Sequence, residues 1–360
     1  MRVPLLLVPL LLVSGLRAQD ITPPPEGLDS ARQEAIRAGL DYLARTQRPD
    51  GSWGDPTRGG VGITALSVLA FLSQGYQEGL GPYADLPGHR DVIRKGVDFL
   101  LKCCKTTTRQ GKPAGFIFDE NDADSRMHGH GYATQVLVLV YGAGRSDPAR
   151  EKEIKEKIRM AIRVIEDSQT ITGGWGYEPN KATMHEGSVT VTVVQALRLA
   201  SDAGFAVDKE VQERGLKYLR DSQKSDGSFK YSHMAETSTP ALTAAALTAM
   251  HGFGEYYSRA ITKGLEYLDN AYHHDPSLLQ WPFYANYYAA QAYHRAGGAR
   301  WEFWERRIVP YILGEQRREG FWDDALYADA RRGAHGRDHA TAFAVLALSV
   351  SDGYLPIFQR

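Results

Sequence analysis

Imidazole and carboxylate side chains gather just ahead of the apolar stretches of this 360-residue chain. His128 and His130 precede one stretch, His185 and Glu186 a second, Glu236 a third, and His335, Asp338 and His339 the last. Superposing the pairs Ala196-Leu197, Ala246-Leu247 and Val138-Leu139 brings Glu186, Glu236 and His128 into one register, and Ser188, Ser238 and His130 into another. Three chemistries fit these residue types. Ser188 and Ser238 can cap helix starts, where nearby acids are favoured by the helix dipole, while His128-Gly129-His130-Gly131 reads as a turn. His128, His130, His185 and Glu186 together would suit zinc or another divalent cation. The same groups could run acid–base chemistry on an oxygen-rich ligand such as a sugar polymer. Tyr284, Tyr287 and Tyr288 fall on one stripe of a helix, near Trp281, Phe283 and Tyr293. That stripe is either core packing or the wall of a site for an apolar chain or a sugar ring.

The elements that would position these groups repeat. Gln47-x-x-x-Gly51-x-Trp53, Gln169-x-x-x-Gly173-x-Trp175, Gln223-x-x-x-Gly227-x-Phe229 and Gln316-x-x-x-Gly320-x-Trp322 share one spacing. Each glutamine closes an amphipathic segment, such as Gly215-Leu216-Lys217-Tyr218-Leu219. Weaker copies raise the total to six, with Cys104 and Tyr272 standing where two of the glutamines should be. A second, charge-poor segment follows each turn: residues 63–72, 132–141, 189–200, 240–250, 284–296 and 341–350. A helix apolar on nearly every side must be buried on nearly every side. Charged helices outside and apolar ones inside make two concentric rings. An open solenoid would need polar capping repeats, and neither terminal copy is polar on its inner helix. The expected fold is all-α: a closed α/α toroid of six hairpins around a central cavity. In it the glutamine bonds backbone groups at the end of its own helix, the glycine permits a positive φ and the ring packs under the turn, latching paired helices together.

Arg2 and the Leu/Val/Pro run from Val3 to Val13 read as a secretory signal peptide over residues 1–18, too short to span a bilayer. A Pro-rich linker over residues 19–30 leads to one domain over 31–360, and export to the periplasm or medium is expected. No later segment has the apolar length of a transmembrane helix. A formal net charge of −1 gives no reason to expect a nucleic-acid partner. The adjacent Cys103 and Cys104 exclude a disulfide framework and a cysteine-rich zinc site, and read as two free, half-buried thiols.

The pattern [Lys/Arg]-[Gly/Ala]-x-x-aromatic-Leu-x-x-x-Gln-x-x-x-Gly-x-Trp, nearly complete over residues 214–229, resembles the repeat of the squalene–hopene cyclase and protein prenyltransferase superfamily. The resemblance implies a toroid that binds ligands in or over its central cavity, and an isoprenoid or other elongated apolar ligand. Triterpene cyclases of this family protonate a polyene with an Asp-x-Asp-Asp cluster. Its counterpart here is Asp122-Ala123-Asp124-Ser125, with Ser125 in place of the last carboxylate, so Asp122 and Asp124 are the candidate catalytic acids; the run Asp119 to Asp124 also reads as a solvated loop. Asp338-His339-Ala340-Thr341 resembles the zinc-binding segment of the prenyltransferases, but no cysteine stands at a matching position, and no cofactor is expected. The alternative to an enzyme is a rigid secreted scaffold that binds a peptide, glycan or lipid at the rim without turning it over.

Overall fold

Helices with one apolar stripe and helices apolar all round satisfy each other by nesting, one set as a sleeve around the other. The computed structural model describes residues 26–55, 57, 60–78, 89–122, 126–143, 147–181, 184–274, 279–324 and 335–359. The expected leader and most of the expected linker lie outside the described residues. The first helix begins at Leu28, inside the stretch expected to be linker.

The outer helices are α1 (Leu28–Thr46), α3 (His89–Cys103), α5 (Pro148–Ser168), α7 (Lys209–Asp221) and α9 (Arg259–His274). A sixth outer rod runs through α11 (Gly298–Phe303), a π-turn (Trp304–Ile308) and α12 (Val309–Gly314). The inner helices are α2 (Val61–Leu72), α4 (Arg126–Gly142), α6 (Gly187–Asp202), α8 (Pro240–Gly252), α10 (Pro282–Ala296) and α13 (Arg337–Leu348). Each inner helix packs on the next, and α13 returns to α2. Each outer helix lies over the inner helix of the preceding hairpin, so α1 lies on α13. The ring is closed. Arg32 adds a buried ion pair at the seam, reaching the two Glu305 oxygens at 2.8 and 2.9 Å.

The glutamine latch works differently from the expectation. Gln169 Nε2 donates to the carbonyl of its own turn, Gly173 (2.8 Å), and to Val211 in the next outer helix (2.9 Å). Gln47 reaches Gly51 and Val92, Gln223 reaches Gly227 and Ala260, and Gln316 reaches Gly320 and Ala35. The latch therefore joins consecutive hairpins, and its fourth copy joins the last to the first. The turn aromatic completes it. Trp53, Trp175 and Trp322 donate Nε1–H to carbonyls of the preceding outer helix, and their backbone N–H groups, with that of Phe229, donate to Thr64, Thr190, Thr341 and Thr243 on the inner helices.

Glycine is needed at the latch for two reasons. Gly173 holds φ +93°, and a Cβ there would stand 2.5 Å from the Arg214 carbonyl oxygen. A Cβ at Gly215, in the next outer helix, would meet the Trp175 ring at 3.0 Å.

The second hairpin departs from the all-α expectation. Where the glutamine should stand, the chain runs into an antiparallel pair, β1 (Cys104–Arg109) and β2 (Lys112–Ile117), in register from Cys104↔Ile117 to Arg109↔Lys112. The β-branched run Thr106-Thr107-Thr108 favours a strand, and Gln110 and Gly111 turn it with positive φ. In the fifth hairpin Tyr272 replaces the glutamine and donates to Asn286 Oδ1 at 3.1 Å. The two cysteines are free and buried, and burial pushes the Cys103 thiol up to about 12.

Two glycines with positive φ separate strain from collision. Gly204 (φ +83°) has open space around its Cβ position, so Gly204→Ala should cost about 1–2 kcal/mol of strain alone. Gly173→Ala should cost about 1–3 kcal/mol more, because the next outer helix must move. Urea unfolding of both variants checks this, and equal losses would contradict the latch.

Candidate functional site

The hydroxyls that receive the turn N–H groups also set the register of the inner ring. Thr64, Thr190, Thr243 and Thr341 occupy equivalent positions on α2, α6, α8 and α13. On α4 the place is taken by His130, whose Nδ1 accepts the Ile117 N–H at 3.1 Å and whose Nε2 lies 3.2 Å from the Ala161 carbonyl. On α10 it is taken by Asn286. Two residues earlier on every inner helix stands a residue that lines one cavity: Gly62, His128, Ser188, Ala241, Tyr284 and His339. The chamber thus sits at the N-terminal ends of all six inner helices. Its volume is about 1330 Å³.

The floor of the chamber is aromatic. Tyr132, Tyr284 and Phe343 line it, with Tyr132–Phe343 and Tyr284–Phe343 ring centroids 6.4 and 5.9 Å apart. Tyr132 and Tyr288 pair their hydroxyls at 3.0 Å across the barrel, and Tyr287 packs below against Phe343 and Phe358. Burial holds the Tyr132, Tyr284 and Tyr288 phenols neutral, well above their ordinary range. Of the expected tyrosine stripe, then, Tyr284 faces the cavity while Tyr287 and Tyr288 form the plug beneath it. A stripe of that spacing spans more than one layer of the barrel.

The mouth is polar. Asp122 lines it and is 4 % exposed, which overturns the reading of its loop as solvated at that residue; Asp124 lies outside the described residues. Asp338 lines the opposite part, accepting hydrogen bonds from Thr46 Oγ1 and the Gly54 N–H, both at 3.0 Å. Burial and then the Asp338 charge push the Tyr42 phenol up to about 12. His128 stacks on Tyr132 and meets Tyr284 edge-on. Its Nε2 is buried without a hydrogen-bond partner, and burial, with His335 and His339 nearby, lowers the imidazole to about 3.

Several expected rim residues are elsewhere. His130 faces away from the cavity, because residues two apart on a helix point to nearly opposite sides, and His128-Gly129-His130-Gly131 is helical rather than a turn. His185 bonds the Tyr218 hydroxyl through Nδ1 (2.9 Å) beside His233, outside the chamber. Glu186, 2 % exposed, is itself the cap of α6, accepting from Ser188 Oγ (2.6 Å) and the Val189 N–H (2.7 Å). It stands behind a wall of Tyr177, Ser188 and Tyr231, and burial raises its carboxyl. Thr239, not Ser238, caps α8, while Glu236 is exposed and paired with Lys230 at 2.6 Å. The proposed metal set of His128, His130, His185 and Glu186 therefore does not converge. Among the described residues no three of His, Cys, Asp or Glu are grouped to hold an ion. The alanine–leucine superposition had slipped against the threonine register.

No protein-family model matches the chain. Drimenyl diphosphate synthase from Streptantibioticus cattleyicolor is 24% identical over 198 residues, 55% of this chain; the match spans 32% of that longer synthase. The type II terpene cyclase MstE from Scytonema, solved with geranylgeranyl dihydroxybenzoate, aligns over 91% of this chain and 99% of its own, with TM-score 0.58 at 15% identity. A family 76 glycoside hydrolase (mannosidase) from Bacteroides thetaiotaomicron aligns over 89% of this chain and 98% of its own, with TM-score 0.59 at 12% identity. The chain has an α/α toroid fold, shared with the terpene cyclase and the glycoside hydrolase it aligns with. Among the described residues no helix is long and apolar enough to cross a membrane.

The buried histidines give the fold a pH dependence of known sign. Burial lowers His128 to about 3 and His130 and His251 to about 4, against 6.5 in the unfolded chain. Between those values the unfolded state binds more protons, so stability is lost as pH falls through that window. Each neutral histidine should cost up to about 2 kcal/mol at about pH 5 relative to neutral pH. Urea midpoints at the two pH values check this, and His128→Phe should make the loss smaller.

Proposed function

We propose that the protein takes an isoprenoid or similarly elongated apolar molecule into the central chamber and cyclises it by protonation, with Asp122 as the acid. The observation that carries this is a nearly buried carboxyl on the wall of a chamber floored by Tyr132, Tyr284 and Phe343. Adding a proton to a carbon–carbon double bond leaves a carbocation, which aromatic faces stabilise and which water would quench. The plugged floor keeps water from entering through the barrel. MstE, of the same fold, is described as a terpene cyclase bound to a geranylgeranyl substrate, which supports the ligand class. Asp124, two residues on in the sequence, remains a second candidate acid. The reading includes export by the leader at residues 1–18, which cell fractionation tests.

A glycan reading is favoured by one feature. Trp281 lies at the mouth with φ +56°, 40 % exposed as a residue and with its ring beside His335, a platform on which a sugar ring could stack. An α-1,6-mannanase of this fold was solved with α-1,6-mannotriose. Quenching of Trp281 fluorescence by mannotriose, lost in Trp281→Ala, would favour it.

Purified protein should convert at least one of squalene, geranylgeraniol or geranylgeranyl diphosphate to a cyclic product. Asp122→Asn should lower turnover by about 10²–10⁴-fold while leaving binding intact. Undiminished turnover would remove Asp122 from the mechanism, and tight binding without product would make the protein a carrier or scaffold.

A further inference from the structure

One pair of groups beside the chamber lies outside the cyclase-type acid motif, and only one of the two, His339, was expected from the sequence. Asp324 follows the last latch turn, and His339 lies in the first turn of α13, on the chamber wall. Asp324 is fixed before it meets the histidine. Its Oδ1 accepts the Gly336 N–H at 3.1 Å and its Oδ2 the His335 N–H at 2.9 Å. The same Oδ2 lies 3.4 Å from His339 Nδ1, an ion-pair separation without hydrogen-bond geometry, and Nδ1 has no other partner; both side chains are largely buried. Burial raises the Asp324 carboxyl, but the nearby His339 imidazole and the two N–H groups outweigh it and hold it below the usual range. It is an anion. The His339 ring stands edge-on to Phe343 at 4.8 Å and beside His335 at 4.7 Å.

With Nδ1 turned to a fixed carboxylate, the other ring nitrogen is left for the chamber. We propose that Asp324 and His339 form a carboxylate–imidazole dyad that keeps His339 Nε2 unprotonated as the proton acceptor of the chamber. Asp324 is the positioning residue and His339 the catalytic one. This rests on the cyclisation reading, in which the dyad ends the reaction. A C–H bond next to the cationic carbon breaks, its electron pair becomes the new double bond, and the proton passes to His339 Nε2. The imidazolium so formed is stabilised by Asp324. One proton enters from Asp122 and one leaves to His339, so the substrate is isomerised, and exchange with solvent at the mouth resets both groups. His128 shares the chamber but has no carboxylate on its ring, and Asp338 is engaged by Thr46 and Gly54.

The tautomer decides the matter without a substrate. Free neutral imidazole prefers the proton on Nε2, whereas the dyad requires it on Nδ1. Long-range ¹H–¹⁵N spectra of histidine-labelled full-length protein above neutral pH, assigned with His339→Gln, should show His339 protonated at Nδ1. Asp324→Leu should abolish that preference, and Asp324→Asn, which retains an acceptor, should restore it. His339 protonated at Nε2 in the wild-type protein would overturn the dyad. Geranylgeraniol is then titrated in. A shift of the Nε2 resonance supports the chamber reading as well, whereas an Nδ1 proton with no response to geranylgeraniol sinks the isoprenoid reading and leaves the dyad standing. With a turned-over substrate, His339→Gln should lower kcat for the alkene product about 10²-fold or more with KM little changed. An unchanged alkene yield would overturn the catalytic role.

Discussion

The closed ring depends on how near each turn comes to the next outer helix. At Gly173 the backbone lies against the Arg214 carbonyl with no room for a side chain. Gln169 then bonds Val211 in that same helix, so the turn is held by one contact and kept from sliding by the other. Because the partner carbonyl always belongs to the following hairpin, each latch fixes a rotation from one hairpin to the next. Gln316 reaching Ala35 is the step at which those rotations add up to a full circle. A small change in the approach at each turn would leave α13 and α2 apart and open the chamber along that seam.

The same turn carries the geometry inward. The indole or phenyl ring fills the space between outer and inner helices, and its backbone N–H finds a threonine on the inner helix. That bond sets the inner helix's rotation and therefore which residue meets the cavity. Where the turn is lost, as at the β1–β2 hairpin, an imidazole takes over the threonine's part, and His130 is spent on structure. A strand supplying the N–H needs a longer acceptor than a hydroxyl. The fold thus consumed one of the histidines that had looked available for chemistry.

The ring, its two layers and its closure were legible because they follow from spacing and from apolar coverage, properties every hairpin repeats. Asp122, expected from the acid motif, Tyr284, expected from the aromatic stripe, and His128, Asp338 and His339, expected at the starts of inner helices, all line the cavity. The remainder were not, for reasons of angle and distance. Glu186 and His185 also precede an inner helix, but Ser188 holds the lining position there and turns them behind the wall. Glu236 was carried to the rim by an alignment on alanine and leucine, residues too common in buried helices to fix a register. Asp324 gave no signal, since its partnership with His339 depends on a chain reversal between them.

The depth of the chamber separates two kinds of charge. Six helix N-termini converge on the mouth, and their unpaired N–H groups favour anions there. Asp338 and Asp324 both accept backbone N–H bonds at this level, and Glu186 does the same behind the wall. Of these, Asp324 is held as a carboxylate, below the usual range, by its hydrogen-bonded neighbours. Asp122 stands ahead of α4, on the wall of the chamber. The dipole fades within a turn, and one turn deeper lie Tyr132 and Phe343, whose ring faces attract positive charge. An elongated molecule with its polar end at the mouth would therefore develop a cation where the helices no longer oppose it, and release its proton to a base poised between the two levels.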